Sequence, residues 1–200
     1  MRVSKDQAAE NRARIIEVAS QQFRQKGFGG IGVADVMKNA GLTHGGFYGH
    51  FASKDDLIAQ SCDAAMKRSA EKWSAFAQGD ADKALAAITA SYLARNHKGE
   101  LANSCTMAML APDIARQGGA VQTRFTEGTK RLLEILSELV PGQDEARKRQ
   151  KALATMAGLV GAVVLSRAVD DAQFADEILS AGEAFFGVAD EGEPDGPASS

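Results

Sequence analysis

The chain has 200 residues, 44% of them hydrophobic, which is enough to build a real core and argues against disorder. Its net charge of -3 hides an uneven split: residues 1–54 hold eight Lys/Arg against four Asp/Glu, and the remainder holds 15 against 22. A basic head on an acidic body suits phosphate binding by the head alone. Two cysteines, Cys62 and Cys105, are too few for a disulfide framework. The first residues carry no apolar signal core, and the longest apolar run, Ala157–Ser166, falls short of the ~20 residues that cross a bilayer. The expectation is a soluble, cytoplasmic, reduced protein that does not engage a membrane.

Helical periodicity runs almost throughout, and no useful stretch alternates as a strand does. A first helix spans Gln7–Lys26, with Ile15, Ile16, Ala19 and Phe23 on one stripe and Gly27 as a left-handed cap. A second covers Val33–Asn39, with Val36, Met37 and Ala40 facing inward, and Gly41 breaks it. Thr43 is placed to cap a third, His44–Phe51, with its hydroxyl. Ser53 caps a fourth, Lys54 to about Gln78, whose first turn holds Asp55 and Asp56 at the positive end of the helix dipole. Further helices follow at Ala81–Asn96 and Ser104–Leu110. The latter is cut by Pro112, with one more turn at Asp113–Gln117. The last three are Ala120–Leu139, Asp144–Val169 and Phe174–Phe186. The acidic, then Pro/Gly/Ser-rich stretch 188–200 reads as a disordered tail.

The informative segment is the pair of short helices joined by Gly41-Leu42-Thr43 and braced by the first helix, a helix-turn-helix. A helix that enters the DNA major groove needs a small or polar outer face. Thr43, His44, Gly45, Gly46, Tyr48, Gly49 and His50 supply one. Phe47 and Phe51, four apart, turn back into the core, and Lys54 is placed to hold a phosphate. His44 and His50 are six apart and nothing completes a ligand set, so no metal is called for. No cofactor is implied either.

The run from Arg14-Ile15-Ile16 through Gly27-Phe28, Val33, Val36, Ala40-Gly41-Leu42-Thr43, Phe47-Tyr48-Gly49-His50-Phe51 and Lys54-Asp55-Asp56-Leu57 resembles the DNA-binding domain of the TetR family of transcriptional repressors. That resemblance implies an all-α chain of about nine helices. Residues 1–53 would be a three-helix DNA-binding head, and 54–187 a larger ligand-binding and dimerisation body. It places Arg14, Val33, Thr43, His44, Gly45, Gly46, Tyr48, His50 and Lys54 at the DNA, with Arg12 or Arg14 reaching the phosphate backbone. Two departures stand out. Gly32 replaces the Ser or Thr that usually caps the second helix, at a cost of a few tenths of a kcal/mol. The recognition element is also glycine-rich, each such Gly costing about 1 kcal/mol against Ala. The glycines imply close backbone approach to DNA or ordering of this helix on binding, and few base-reading side chains imply that the operator is read partly through DNA shape.

For the body, the resemblance implies a homodimer and an inducer pocket. Gly158, Gly161, Leu165, Ile178, Phe185 and Phe186, on the last two helices, are the expected dimer interface, setting two recognition helices about 34 Å apart. Trp73, Phe76, Tyr92, Cys105, Met107, Met109, Phe125 and Met156 are candidate pocket linings. The expected function is a repressor that holds an inverted-repeat operator on double-stranded DNA. A small-molecule inducer would release it by moving the helix that starts at Lys54. The alternatives are an activator, or a redox or electrophile sensor acting through Cys105 near a helix start. No paired carboxylates, nucleophile–base set or phosphate loop suggests an enzyme. A protein-only helical adaptor would leave the basic head unexplained.

Overall fold

The structure, a computed structural model, describes residues 4–94 and 101–187. Among the described residues there are eight α-helices, two short 3-10 segments and no strand. In chain order these are α1 (Lys5–Lys26), α2 (Val33–Asn39), a 3-10 segment (His44–Gly49), α3 (Lys54–Phe76) and α4 (Ala81–Leu93). There follow a 3-10 turn (Leu101–Asn103), α5 (Thr106–Gln117), α6 (Gly119–Leu139), α7 (Glu145–Ala168) and α8 (Ala172–Phe186). The expected tail, 188–200, and most of the expected loop at 97–103 lie outside the described residues.

Local chemistry fixes most helix starts. Ser4, Asp80, Asp144 and Asp171 each accept a hydrogen bond from a backbone N–H two or three residues on, satisfying a donor that the helix leaves orphaned. At α3 the bonding is reciprocal. Ser53 Oγ accepts from the Asp56 N–H at 3.1 Å, while Asp56 Oδ2 accepts from the Ala52 N–H at 3.0 Å.

Three local expectations fail, each for a physical reason. The third helix is a 3-10 segment, and the Thr43 hydroxyl caps nothing. The Gly46 N–H it would serve is bonded instead to the Thr43 carbonyl at 3.0 Å, and three glycines in six residues weaken any longer α-helix. Pro112 does not cut α5, which runs through it. Pro lacks the N–H that would bond the Ala108 carbonyl, yet buried Met107, Leu110 and Ile114 keep both halves docked on one face. Gly27 has φ 70°, so glycine is favoured there, but its ψ of 173° puts it outside the left-handed helical well.

The described residues form two compact units, one of 4–72 and 101–132, the other of 73–94 and 133–187. In unit one the apolar core is continuous. Ile15, Ala19, Phe23, Val36, Met37, Phe47 and Phe51 pack in one cluster with Leu57, Ile58, Cys62, Leu110, Ile114 and Val121. Packing therefore does not break at residue 53, where the linear division was drawn. Burial opposes ionisation of Asp63, but Lys67 at 2.8 Å and Arg131 at 3.0 Å hold its carboxyl below the usual range, fastening α3 to α6.

Unit two is built on α4, α7 and α8, around Leu85, Ile88, Leu93, Met156, Leu159, Val163 and Leu179. Gly158 lets α8 close on α7: a Cβ there would stand 2.0 Å from Phe186 Cζ. By length and composition α7 is apolar enough to cross a membrane, beyond what its longest apolar run suggests. Its Ala152, Met156, Leu159 and Val163 are buried in unit two, and its first turns carry Glu145, Arg147, Lys148 and Arg149, so it reads as a packing helix.

Candidate nucleic-acid interface

The helix-turn-helix is assembled by backbone bonds around one glycine. Gly41 takes φ 72°, and its N–H and that of Leu42 donate to the carbonyls of Lys38 and Met37 at 3.0 and 2.9 Å. A side chain at 41 would be strained in this conformation. Leu42 is half-buried against the core. Beyond the turn, Phe47 is buried and stacks on Phe51 with ring centroids 5.5 Å apart, anchoring the 3-10 segment from below.

That anchor decides what faces outward. Thr43, His44, Gly45, Gly46 and Gly49 are exposed. Tyr48 is 73% exposed, its ring edge-on to Phe47 at 5.2 Å, so the phenol stands away from the protein on a firm base. His50 is half-buried beside Phe51. Of the other expected residues, Arg14 is exposed on α1, and Val33 is half-buried against the core.

The cations sort into two groups. Lys5, Arg14, Lys26 and Lys38 are exposed. Three others are engaged within unit one. The Arg12 guanidinium bonds Gln60 and lies 5.0 Å from the Phe51 ring centroid. Arg24 is buried. Lys54 Nζ donates to the Phe28 carbonyl at 2.6 Å, leaving an ammonium with two further donors. Sequence periodicity cannot separate the two groups, because their partners are remote in the chain. Nearby, a hydrogen bond from Gln60 holds the Asp56 carboxyl below its ordinary value, against a smaller opposing effect of burial.

The glycines of the recognition segment have no internal purpose. None has a positive φ. A Cβ at Gly45 or Gly49 would meet nothing within 4 Å, and one at Gly46 would make ordinary contacts of 3.7 and 3.8 Å. Alanine would fit at all three and stabilise the helical conformation.

The expected pocket residues are divided between the two units. Cys105, Met107, Met109 and Phe125 belong to unit one, and Trp73, Phe76, Tyr92 and Met156 to unit two. Trp73 and Tyr92 stand edge-on at 6.1 Å. Cys105 is the half-buried N-cap of α5, whereas burial pushes the Cys62 thiol up to about 12, which makes it inert at neutral pH. Of the expected dimer residues, Leu165 and Phe185 are exposed, while Gly158 and Phe186 meet each other within the chain.

Comparison with known proteins agrees with this geometry. Residues 15–60 match the family described as bacterial regulatory proteins, tetR family. The transcriptional regulator TtgR of Pseudomonas putida is 38% identical over 63 residues, 32% of this chain and 30% of the relative's length. The regulator AcrR of Shigella flexneri is 37% identical over 59 residues, 30% of this chain and 27% of AcrR. The chain thus matches less than a third of the length of these relatives. A solved TetR-family regulator from Cytophaga hutchinsonii superposes with a TM-score of 0.76 over 94% of this chain and 98% of its own, at 18% identity, which shows a shared fold. The helix-turn-helix segment is thus similar in sequence to that of tetR-family regulators, and the chain shares the all-helical fold of a solved member.

Proposed function

We propose that the protein is a dimeric transcriptional repressor that binds an inverted-repeat operator through Thr43–His50 and leaves it when a small molecule enters the body. One observation carries the DNA-binding part: an exposed, tyrosine-bearing segment with three glycines for which the fold itself has no use. Small residues let a surface come within van der Waals distance of a sugar-phosphate wall, and Tyr48 then donates its hydroxyl to phosphate. Thr43 and His44 meet base edges, and with so few readers much of the sequence preference comes from groove shape. Arg14, Val33, His50 and Lys54 complete the footprint.

The dimer reading is supported by the apolar side chains left in water on α7 and α8. Leu153, Val164, Leu165, Phe174 and Phe185 are exposed there, Phe185 by 78%. A second copy covering them would set two recognition segments about one helical turn, ~34 Å, apart. The inducer acts by binding the released form more tightly, since a ligand with equal affinity for both forms shifts nothing. Function as a cytoplasmic regulator without catalysis follows from this reading.

The test is fluorescence anisotropy with DNA from upstream of the protein's own gene, alongside sizing of the free protein. A dimer that binds with strong salt dependence is expected, each phosphate contact adding about 0.9 to the log–log slope. Indifference to every such fragment at low ionic strength would end the proposal.

A further inference from the structure

The sequence offers Arg12 and Arg14 alike as phosphate contacts, but the fold treats them differently. Arg14 is exposed, whereas Arg12 is half-buried and turned onto α3 and Phe51. Its Nη2 donates to Gln60 Oε1, and its guanidinium carbon lies over the Phe51 ring, 5.0 Å from the centroid. Gln60 is itself held, because its Nε2 donates to Asp56 Oδ1 at 2.7 Å while Asp56 Oδ2 accepts from the Ala52 N–H at 3.0 Å. The Gln60 bond, the Ala52 N–H and the Arg12 charge all favour the ionised Asp56 carboxyl, against the pull of burial. The guanidinium is therefore fixed by a run of bonds that ends on the backbone at the start of α3.

Phe51 leads to the exposed face in two steps. Its ring stacks on Phe47 with centroids 5.5 Å apart and 28° between planes, and Phe47 stands edge-on to Tyr48 at 5.2 Å. The His50 ring lies 6.3 Å from Phe51 as well. The segment that carries these rings has little stiffness of its own. It is a six-residue 3-10 helix, three of its residues are glycine, and its N-cap makes no side-chain bond. Its attitude is set by the rings beneath it, and theirs by what packs on Phe51. A guanidinium suits that task, since it is drawn to the negative face of an aromatic ring and its planar fork is held by hydrogen bonds at a fixed angle.

We propose that Arg12 is a positioning residue for the DNA-contacting segment: held by Gln60 against Phe51, it sets the tilt of the Phe51–Phe47 pair and so the place of the Tyr48 phenol. Its charge acts inward on a ring rather than outward on a phosphate. The effect on DNA rests on the function proposed above for Thr43–His50, whereas the effect on Tyr48 does not. A direct phosphate contact from Arg12 is the rival role, and salt dependence separates the two. Losing a phosphate contact lowers the log–log slope by about 0.9, while displacing an uncharged phenol releases no counterion and leaves the slope as it was.

The chain has two tyrosines, Tyr48 in unit one and Tyr92 in unit two, so the full protein labelled with fluorotyrosine gives two fluorine NMR signals, assigned through Tyr48→Phe. Arg12→Gln and Gln60→Met are each expected to shift the Tyr48 signal and leave that of Tyr92 in place. Each also weakens binding to DNA from upstream of the gene by about threefold, at an unchanged salt slope. Gln60→Met alters no charge, and it decides the matter alone should circular dichroism show that Arg12→Gln does not fold. A Tyr48 signal that stays put in the folded variants, or DNA affinity that stays constant when the signal moves, would overturn the assignment. A slope lowered by about 0.9 in Arg12→Gln would make Arg12 a phosphate ligand instead. If the unaltered chain binds no such DNA, the proposed function fails, and the fluorine signals still decide whether Arg12 positions Tyr48.

Discussion

Glycine serves opposite ends in two regions of this molecule. In unit two, Gly158 is demanded from within, because a Cβ there would run into the Phe186 ring. In the recognition segment, Gly45 and Gly49 border open space, and the fold would be better off with alanine. The first kind is fixed by the chain's own packing. Under the proposed function, the second is kept for the DNA. Asking what a missing methyl would touch separates residues kept for stability from residues kept for a partner.

The largest expected effect tests the packing side. Gly158→Ala forces a methyl into the Phe186 ring and destabilises the protein by about 1–3 kcal/mol, read as a lowered urea midpoint. An unchanged midpoint would mean that Phe186 swings aside without cost. Next comes Tyr48→Ala, which leaves thermal stability intact and weakens operator binding by about tenfold. Equal affinity would remove the phenol from the interface.

The sharpest contrast lies in Gly45→Ala and Gly49→Ala. Each raises stability by about 0.5–1 kcal/mol while operator affinity falls. Gain of stability without loss of binding would leave the glycines unexplained. The smallest effect is at Gly161, on α7, where a Cβ meets nothing within 4 Å of its own chain. Gly161→Ala stabilises the subunit by up to about 1 kcal/mol and, if a second copy approaches there, raises the dimer dissociation constant measured by sedimentation.

The fold class, the limits of α2 and the inward turn of Phe47 and Phe51 were legible in the sequence, because each follows from local spacing and punctuation. The outward set of Thr43, His44, Gly45, Gly46 and Tyr48 follows from the same periodicity. Three things were hidden. The 3-10 character depends on a carbonyl taking the Gly46 N–H before the Thr43 hydroxyl can. The continuity of α5 through Pro112 depends on burial of Met107, Leu110 and Ile114. The engagement of Arg12 and Lys54 depends on Gln60 and on the Phe28 carbonyl, residues 48 and 26 positions away.

The continuous core of unit one bears on how such proteins can be recombined. Residues 1–53 carry the proposed DNA-contacting segment, but Leu57, Ile58, Leu110, Ile114 and Val121 close the apolar cluster beneath it. A chimera that grafts only the first 53 residues onto a foreign body must supply a matching lid or lose cooperativity. A crossover that carries 54–72 and 101–132 along with the head keeps the lid and its contents together.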